Sequence, residues 1–342
     1  NIQKSLAFEW IASRLKDKYE LSFILLNPDD SPLEQFLLKN KIDVVRIPYR
    51  GKSNFLPAFF KTRSVLKKLK PDVVHCHLLD AQLIGLTAAN SLKIRKRIYT
   101  RHNSNFHHVY HPRGVRYDRW SNRMSTHIVS ISQATDFTLT SLENADNRKI
   151  RKIPHGFDFN EFTDVDPLRV ENVRRKCIIP SDRVIVGVVA RHIEWKGIQY
   201  IIPAFKTYHE HNPDSILVLA NASGPYHEVI TDSLRGLPVI QIPFEEDVAA
   251  LYQTFSIYIH TPVDPIVEAF GQTYVESLAA GIPSIFTKSG IAAEFVNDGD
   301  NAFVVDFKNS DSIFRAMTRL TSDRQLQDHL RKKGKEDVFS RF

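Results

Sequence analysis

Short apolar runs alternate with longer amphipathic stretches along almost the whole chain, and this rhythm limits the folds that the sequence can adopt. The runs are rich in Val, Ile and Tyr, as expected of strands that helices cover on both faces. Parallel neighbours need a crossover between them, usually a helix, so the alternation predicts βαβ units in an α/β fold. The predicted strands are residues 21–26, 43–47, 72–76, 97–100, 127–131, 184–189, 216–219, 239–242, 257–260, 284–286 and 303–305.

The 342 residues are enough for two domains, each with a core of its own. The connection at residues 153–166 contains Pro154 and Gly156 and is followed by Pro167, so the predicted domains are residues 1–160 and 161–342. Both are expected to be Rossmann-like, doubly wound parallel sheets that face each other across a cleft. Ligands of such sheets bind outside the carboxyl ends of the strands.

Two of the helical patterns give specific expectations. Ala7, Ile11 and Leu15 fall on one face of a predicted helix near the start of the chain. A second helix follows Gly197 and contains Pro203. Because proline is tolerated in the first turn of a helix, the second helix is expected to begin a few residues after Gly197.

Positive charge is concentrated in the first half of the chain. Residues 1–150 hold 25 Lys and Arg against 13 Asp and Glu, a net charge of +12, whereas residues 151–342 carry −5. A phosphorylated acceptor or an anionic membrane surface would suit the basic half. No nucleic acid partner is expected, because aromatic stacking motifs and known recognition elements are missing.

Two basic clusters of the first half are candidates for such a contact. Phe55, Phe59 and Phe60 stand beside several lysines and arginines and could meet a membrane. The alternative is an amphipathic helix that buries these phenylalanines in the core. The second cluster, which could equally be a solvated helix face, contains Arg113, Arg116, Arg119 and Arg123.

Two carboxylates bracket the start of a helix predicted at residues 272–280. Glu268 lies in the loop before it, Gly271 at its entrance and Glu276 in its second turn. A glycine there lets a ligand approach the backbone, and N–H groups at a helix N-terminus favour phosphate. The carboxylates can accept hydrogen bonds from sugar hydroxyls. The helix dipole alone would explain an acidic residue at Glu276.

Two cations follow the first predicted strand of the second domain. Arg191 comes directly after the end of that strand at Ala190, and Lys196 stands just before Gly197. Cations at the carboxyl end of a strand are placed to neutralise a diphosphate leaving group. The alternative is a pair of surface cations on a loop.

These segments resemble the motifs of glycosyltransferase family 4, whose members are retaining enzymes with the GT-B fold. Glu268-Ala-Phe-Gly together with Glu276-Ser-Leu-Ala-Ala-Gly-Ile-Pro is similar to the paired-glutamate motif of that family. Four further segments match the family pattern in the right order, so that the resemblance covers nearly the whole chain. They are residues 71–77, 128–134, 153–158 and 191–197.

The resemblance implies roles for individual side chains. Glu276 would bind the ribose hydroxyls of the nucleotide, and Glu268 would hydrogen-bond the donor sugar. Arg191 and Lys196 would stabilise the departing diphosphate in place of a metal ion. His102 aligns with a histidine that faces the donor sugar from the first domain.

The resemblance also assigns a role to the backbone. The N–H groups that would meet sugar hydroxyls and phosphate are those of Phe270, Gly271 and Gln272.

The sequence departs from the family pattern at several places, among them the glycine-rich turn after the second strand, which is reduced to residues 221–225. His260-Thr-Pro262 stands where the family has a proline–serine pair, and extra residues precede Glu268. The glycine-rich loop after the family's first strand would come before Asn1, and the family's final crossover helix would follow Phe342. The resemblance therefore implies that the first strand and the last helix are missing from these 342 residues.

The sequence thus predicts a retaining hexosyltransferase that takes a nucleotide-diphosphate sugar and a glycan or lipid-linked acceptor, in cell-surface polysaccharide or glycolipid synthesis. No cofactor or metal is expected, since no set of His, Cys and carboxylate residues has metal-ligand spacing. Few cysteines and no long apolar run predict a cytoplasmic chain, at most peripheral to the inner face of the membrane. The alternatives are a nucleotide-sugar-binding protein without turnover and another GT-B activity such as an epimerase.

Overall fold

The computed structural model describes residues 8–342. The chain divides into two compact units between Phe157 and Asp158, whereas the boundary read from the sequence lies after residue 160. Both units are built from parallel strands joined by helices, which confirms the predicted fold class.

Within the described part of the first unit, residues 8–157, the strands form two separate parallel sheets. β1 pairs with β2, and the other strands form a sheet in the order β3-β4-β5-β6. Five of these strands were predicted; β6 was not, because three residues with one apolar side chain give no pattern. The strands are β1 (Ser22–Leu26), β2 (Asp43–Ile47), β3 (Val73–His77), β4 (Lys96–Arg101), β5 (His127–Ser130) and β6 (Ile150–Lys152).

Helices connect the strands of the first unit. They are α1 (Phe8–Leu15), α2 (Pro32–Lys39), α3 (Phe55–Leu69), α4 (Leu79–Ala81), α5 (Thr87–Ser91), α6 (Phe106–Tyr110), α7 (Val115–Met124) and α8 (Gln133–Phe137). Shorter 3₁₀ and π-helical turns are Lys52–Asn54, Gln82–Leu86, Pro112–Gly114, Thr138–Leu142 and Asn147–Lys149.

The buried face of α1 differs from the prediction. Ala7 lies outside the described residues, and Ile11 is 38 % exposed. The helix instead turns Phe8 and the fully buried Ala12 toward the cluster that also holds Leu33. The prediction of Ile11 on the buried face was therefore wrong, because the helix packs through the neighbouring stripe.

The second unit contains one parallel sheet in the order β12-β11-β10-β7-β8-β9. All of its strands were predicted within a residue of their observed bounds. They are β7 (Val184–Val189), β8 (Ser215–Ala220), β9 (Val239–Ile242), β10 (Ile257–His260), β11 (Ser284–Phe286) and β12 (Phe303–Val304).

The helices of the second unit lie against this sheet, and one core joins the sheet to Phe205 and Met317 on two of them. The helices are α9 (Asn160–Thr163), α10 (Pro167–Cys177), α11 (Ile198–His211), α12 (His227–Ser233), α13 (Val248–Tyr252), α14 (Gln272–Ala279), α15 (Ala292–Phe295), α16 (Ser310–Ser322) and α17 (Arg324–Arg341). None of the helices within residues 8–342 has the length and apolarity needed to cross a membrane.

The start of α11 corrects one prediction. The helix begins at Ile198, directly after Gly197, and carries Pro203 inside it rather than in its first turn. Ile198, Ile201 and Ile202 are all buried, so packing of this apolar stripe holds the residues before the proline in the helix. Burial outweighs the backbone hydrogen bond that the proline cannot make.

Candidate functional site

The strand order of the second sheet reverses at β7 and β10, which are paired neighbours. Such a switch point leaves a crevice outside the carboxyl ends of the two strands, and doubly wound sheets bind their ligands there. The loop after β7 carries Arg191 and Lys196, and the loop after β10 carries Glu268. The fold therefore brings three predicted site residues to one edge of one sheet.

Gly197 allows the loops after β7 and β10 to touch. Its φ of 77° lies in the left-handed region, and a Cβ at this position would come within 1.9 Å of the Thr261 carbonyl oxygen. The Val263 N–H also donates to the Trp195 carbonyl at 3.0 Å. The close approach places the neighbouring Lys196 against the residues that follow β10.

Glu268 is buried, and its charge is compensated from two sides. Its Oε1 forms a salt bridge with Lys196 Nζ and lies 3.1 Å from His260 Nε2. Burial by itself would raise the pKa of Glu268, but the Lys196 charge and the His260 hydrogen bond outweigh it and lower the pKa to about 2. The carboxylate is therefore ionised at neutral pH and can accept hydrogen bonds.

Lys196 keeps a route to solvent while it pairs with Glu268. Its side chain is 16 % exposed, against 7 % for the carboxylate. The ammonium also lies over the ring of Trp195, 4.4 Å from the centroid. Because solvent reaches one side of the Lys196 ammonium, an incoming anion can contact it without the side chain first moving out of the protein interior.

Glu276 stands on α14 in a different setting. Its Oε2 accepts a hydrogen bond from the Tyr252 hydroxyl at 3.1 Å. Burial, with a smaller effect of the nearby Glu161, raises the pKa of Glu276 to about 7, although the Tyr252 bond acts the other way. Tyr258 lies within electrostatic reach of both Glu276 and Glu268, so the fold gathers the two predicted glutamates around the end of β10.

The segment between the two glutamates requires a glycine directly before α14. Gly271 has a φ of 81°, and α14 begins at the next residue, Gln272. A Cβ on Gly271 would come within 2.5 Å of the Tyr274 ring, so the backbone needs a glycine even without a ligand. Phe270 is buried, and its carbonyl accepts the Ile291 N–H at 2.9 Å.

Arg191 lies apart from the buried pair. Its side chain is exposed just beyond β7, and within residues 8–342 it forms no ion pair. The structure therefore leaves its charge at the surface of the switch-point edge, where its predicted role at a diphosphate stays a prediction.

His102, the predicted residue of the first unit, follows β4 and belongs to a group of histidines. Its Nε2 lies 3.0 Å from His77 Nδ1, and its ring stacks on His155 with centroids 5.5 Å apart. Burial, followed by the nearby His155 and His75, lowers the pKa of His102 to about 3, so the ring is neutral. His77 and His155 lie in two of the motif segments, but nothing in the sequence showed that they meet His102.

Arg101, one residue before His102, is fully buried, and its charge is saturated by two carboxylates. Its guanidinium pairs with Asp118 at 2.8 Å and with Glu143 at 2.5 Å, and all three side chains are at most 1 % exposed. Asn122 donates a further hydrogen bond to Glu143 at 2.7 Å. This cation is part of the architecture of the first unit.

Sequence reasoning did not assign a role to three neighbours of the glutamates. Ser289 Oγ accepts the Glu268 N–H at 3.3 Å, Tyr252 bonds Glu276, and His260 bonds Glu268. His260 was noted only as a departure from the family pattern, although a histidine that ends an otherwise apolar strand is itself a signal. Ser289 and Tyr252 are distant in sequence and give no such signal.

Known proteins share this fold. The crystal structure of Anabaena HepE in complex with UDP-glucose superposes with a TM-score of 0.82 at 21% identity, over 98% of this chain and 91% of that chain. An uncharacterised glycosyltransferase of Methanocaldococcus jannaschii is 24% identical over 96% of this chain and 87% of its own length. CapM of Staphylococcus aureus, a capsular polysaccharide biosynthesis glycosyltransferase, is 23% identical over 84% and 77%.

These likenesses define the class: the fold is that of the GT-B glycosyltransferases. Residues 11–161 match the family model Glycosyltransferase Family 4, and residues 170–337 match the model Glycosyl transferases group 1. The chain belongs to glycosyltransferase family 4, which confirms the resemblance seen in the motifs.

Proposed function

We propose that the chain transfers a hexose from a nucleotide-diphosphate sugar to a glycan or lipid-linked acceptor, with retention of the anomeric configuration. The observation that carries the proposal is the pairing of Lys196 with Glu268 at the switch point, beside Glu276. A cation with access to solvent suits a diphosphate, and an ionised carboxylate suits sugar hydroxyls. The HepE structure with UDP-glucose supports a donor of this class.

In the proposed complex the donor's diphosphate gives Lys196 a second anionic partner, and Arg191 adds positive charge at the surface of the same edge. Glu268 accepts a hydrogen bond from a hydroxyl of the donor sugar, and Glu276 binds the ribose. The backbone around Gly271 lies next to the sugar and phosphate. Charge on the leaving diphosphate is then stabilised by lysine and arginine, without a metal ion.

The proposed reaction needs no protein nucleophile. The bond between the anomeric carbon and the diphosphate oxygen breaks while the acceptor oxygen bonds the same carbon on the same face. The proton of the acceptor hydroxyl passes to the departing diphosphate oxygen, so that the protein contributes orientation and charge stabilisation.

The acceptor belongs to the basic first half in this proposal. CapM acts in capsular polysaccharide biosynthesis, which supports a glycan or lipid-linked acceptor in cell-surface polysaccharide or glycolipid synthesis. A cavity of about 600 Å³ at α7 is lined by exposed arginines and the half-exposed Trp120, a combination that suits an anionic membrane surface. On α3, Phe60 is exposed, whereas Phe55 and Phe59 pack against the core.

A donor panel tests the proposal. UDP-, GDP- and ADP-sugars are compared by thermal shift, and release of the nucleoside diphosphate is followed for the sugar that binds best. We expect one donor class to stabilise the wild-type chain. We also expect Lys196→Met and Glu268→Gln to lower turnover about 10²- to 10³-fold, as loss of one group that stabilises transition-state charge does elsewhere.

Lys206→Met is the matched control, since Lys206 is an exposed lysine on α11. Full turnover in Lys196→Met would contradict the proposal. Binding of a sugar nucleotide without any release of diphosphate would leave a binding protein instead. The anomeric configuration of the product, read by NMR coupling constants, tests retention.

A further inference from the structure

The Lys196 ammonium at the candidate site has two anionic partners to serve, one in this structure and one in the proposed complex. In this structure Lys196 pairs with Oε1 of Glu268, whereas the proposed function requires the same ammonium at the donor's diphosphate. When Lys196 turns to the diphosphate, Glu268 gives up part of its compensating charge. A buried carboxylate that loses a partner needs another fixed donor to stay in place.

His260 meets that need. It ends β10 at the position where the sequence departs from the proline–serine pair of the family, and it is 1 % exposed. Its Nε2 lies 3.1 Å from the same Oε1 that Lys196 contacts. Burial lowers the pKa of His260, so the ring is neutral, and the carboxylate selects the tautomer with the proton on Nε2.

The ring of His260 is held more firmly than the lysine. It packs edge-on against Tyr274, with centroids 4.7 Å apart, and stacks on Tyr258 at 6.5 Å. The His260 carbonyl accepts the Thr287 N–H at 3.4 Å. A planar ring fixed by two aromatic neighbours cannot follow a ligand, whereas the flexible, part-exposed Lys196 side chain can.

We propose that His260 is the positioning residue that holds the Glu268 carboxylate in place while Lys196 turns from Glu268 to the donor's diphosphate. The inference rests on the proposed function. His260 itself touches neither donor nor acceptor and acts through Glu268. It would therefore matter for use of the sugar and much less for binding of the nucleoside diphosphate.

Three substitutions separate this role from simple packing. His260→Phe keeps a ring and removes the donor. His260→Gln puts an amide N–H about where Nε2 lies, whereas His260→Asn puts it nearer Nδ1 and cannot reach Glu268. His209→Phe is the matched control, because the His209 ring also belongs to the second unit and bonds Ser215 instead.

The measurements use the donor that stabilises the wild-type chain best: affinity for its free nucleoside diphosphate, and steady-state release of that diphosphate from the donor. We expect His260→Phe to lower kcat about 10- to 100-fold, as loss of a hydrogen bond to a charged group does. Affinity for the nucleoside diphosphate should stay close to that of the wild type. His260→Gln should recover most of the rate, and His260→Asn should not.

Several results would overturn the inference. A folded His260→Phe with the wild-type kcat would do so, as would equal rates for the Gln and Asn variants. A loss of affinity for the nucleoside diphosphate as large as the loss of rate would also overturn it. If His260→Phe does not fold, the comparison of Gln with Asn still decides. If the wild-type chain binds no donor of the panel, the proposed function fails first and the inference falls with it.

Discussion

The carboxyl ends of the two main sheets hold the same kinds of charge in opposite arrangements. After β4, Arg101 is enclosed by Asp118 and Glu143 with no exposed surface, and the adjacent His102 is neutral. After β7 and β10, Lys196 shares one carboxylate with His260, and part of its side chain reaches solvent.

The two cations differ in how far carboxylates already compensate their positive charge. Arg101 has two carboxylates, so it has little charge left to offer a ligand, and these two partners compensate the cost of burying its charge. Lys196 has one carboxylate and an open side, so an anion can still gain from it. A saturated pair stabilises its own unit, whereas an incompletely paired cation can serve a ligand.

The largest expected effect tests the saturated site. Arg101→Met leaves Asp118 and Glu143 buried without their cation, and we expect a loss of about 3–5 kcal/mol in the free energy of unfolding. Urea denaturation measures this loss for Arg101→Met and, for comparison, for Lys196→Met. Lys196→Met should cost less stability, because Glu268 keeps His260 as a partner.

Equal losses for Arg101→Met and Lys196→Met would break the comparison, since both cations would then be structural. A stable Arg101→Met that loses donor turnover would reverse it, because Arg101 would then act in function and not in packing.

The next effect separates the two glutamates by pH. The pKa of Glu276 is raised from 4.5 to about 7, so the folded chain holds a proton that the unfolded chain releases. Its contribution therefore weakens stability as pH rises from 4.5 to about 7. The pKa of Glu268 is lowered to about 2, so its contribution is present above pH 4.5 and is lost as pH falls toward 2.

Glu276→Gln should thus remove the unfavourable contribution that ionisation of Glu276 makes to the stability of the wild type at neutral pH. We expect the variant to gain about 2 kcal/mol on the wild type between pH 4.5 and 8, less than a fully buried group would give. Urea midpoints across this range measure the gain, and Glu194→Gln, at an exposed carboxylate, is the control. Parallel curves for Glu276→Gln and wild type would refute the raised pKa.

The strands of the second unit could be predicted closely because most of their residues are buried and therefore apolar. β7 and β10 show the reason: a run such as Val184–Val189 has no plausible exposed face. The failures have equally local causes. β6 is too short to carry a pattern, and α11 tolerates Pro203 because buried isoleucines hold the residues before it.

Of the candidate site, the sequence predicted the residues that lie in motifs but not the contacts between them. Lys196, Glu268 and Glu276 were named because local sequence placed them at strand and helix ends. The pairing of Lys196 with Glu268 was not predicted, since contacts between the loops after β7 and β10 depend on the strand order of the sheet. The same holds for His77 against His102, which lie 25 positions apart and meet through neighbouring strands.

The smallest expected effect returns to arginine in the first unit. Arg101 is enclosed, whereas Arg113, Arg116, Arg119 and Arg123 are exposed around α7 beside Trp120. If the enclosed arginine serves the fold and the exposed ones serve a surface, neutralising an exposed one should weaken binding to anionic vesicles and leave stability unchanged. A basic side chain near such a surface contributes about 1 kcal/mol.

We therefore expect Arg116→Gln or Arg119→Gln to reduce sedimentation with phosphatidylserine-rich vesicles at low salt, by about fivefold in the partition coefficient for 1 kcal/mol. Added salt should abolish the difference, because screening shortens the reach of each charge. Lys206→Met, in the second unit, is the control. A wild-type chain that does not sediment at low salt would remove the membrane from the proposal, and the exposed arginines would then have to meet the acceptor itself.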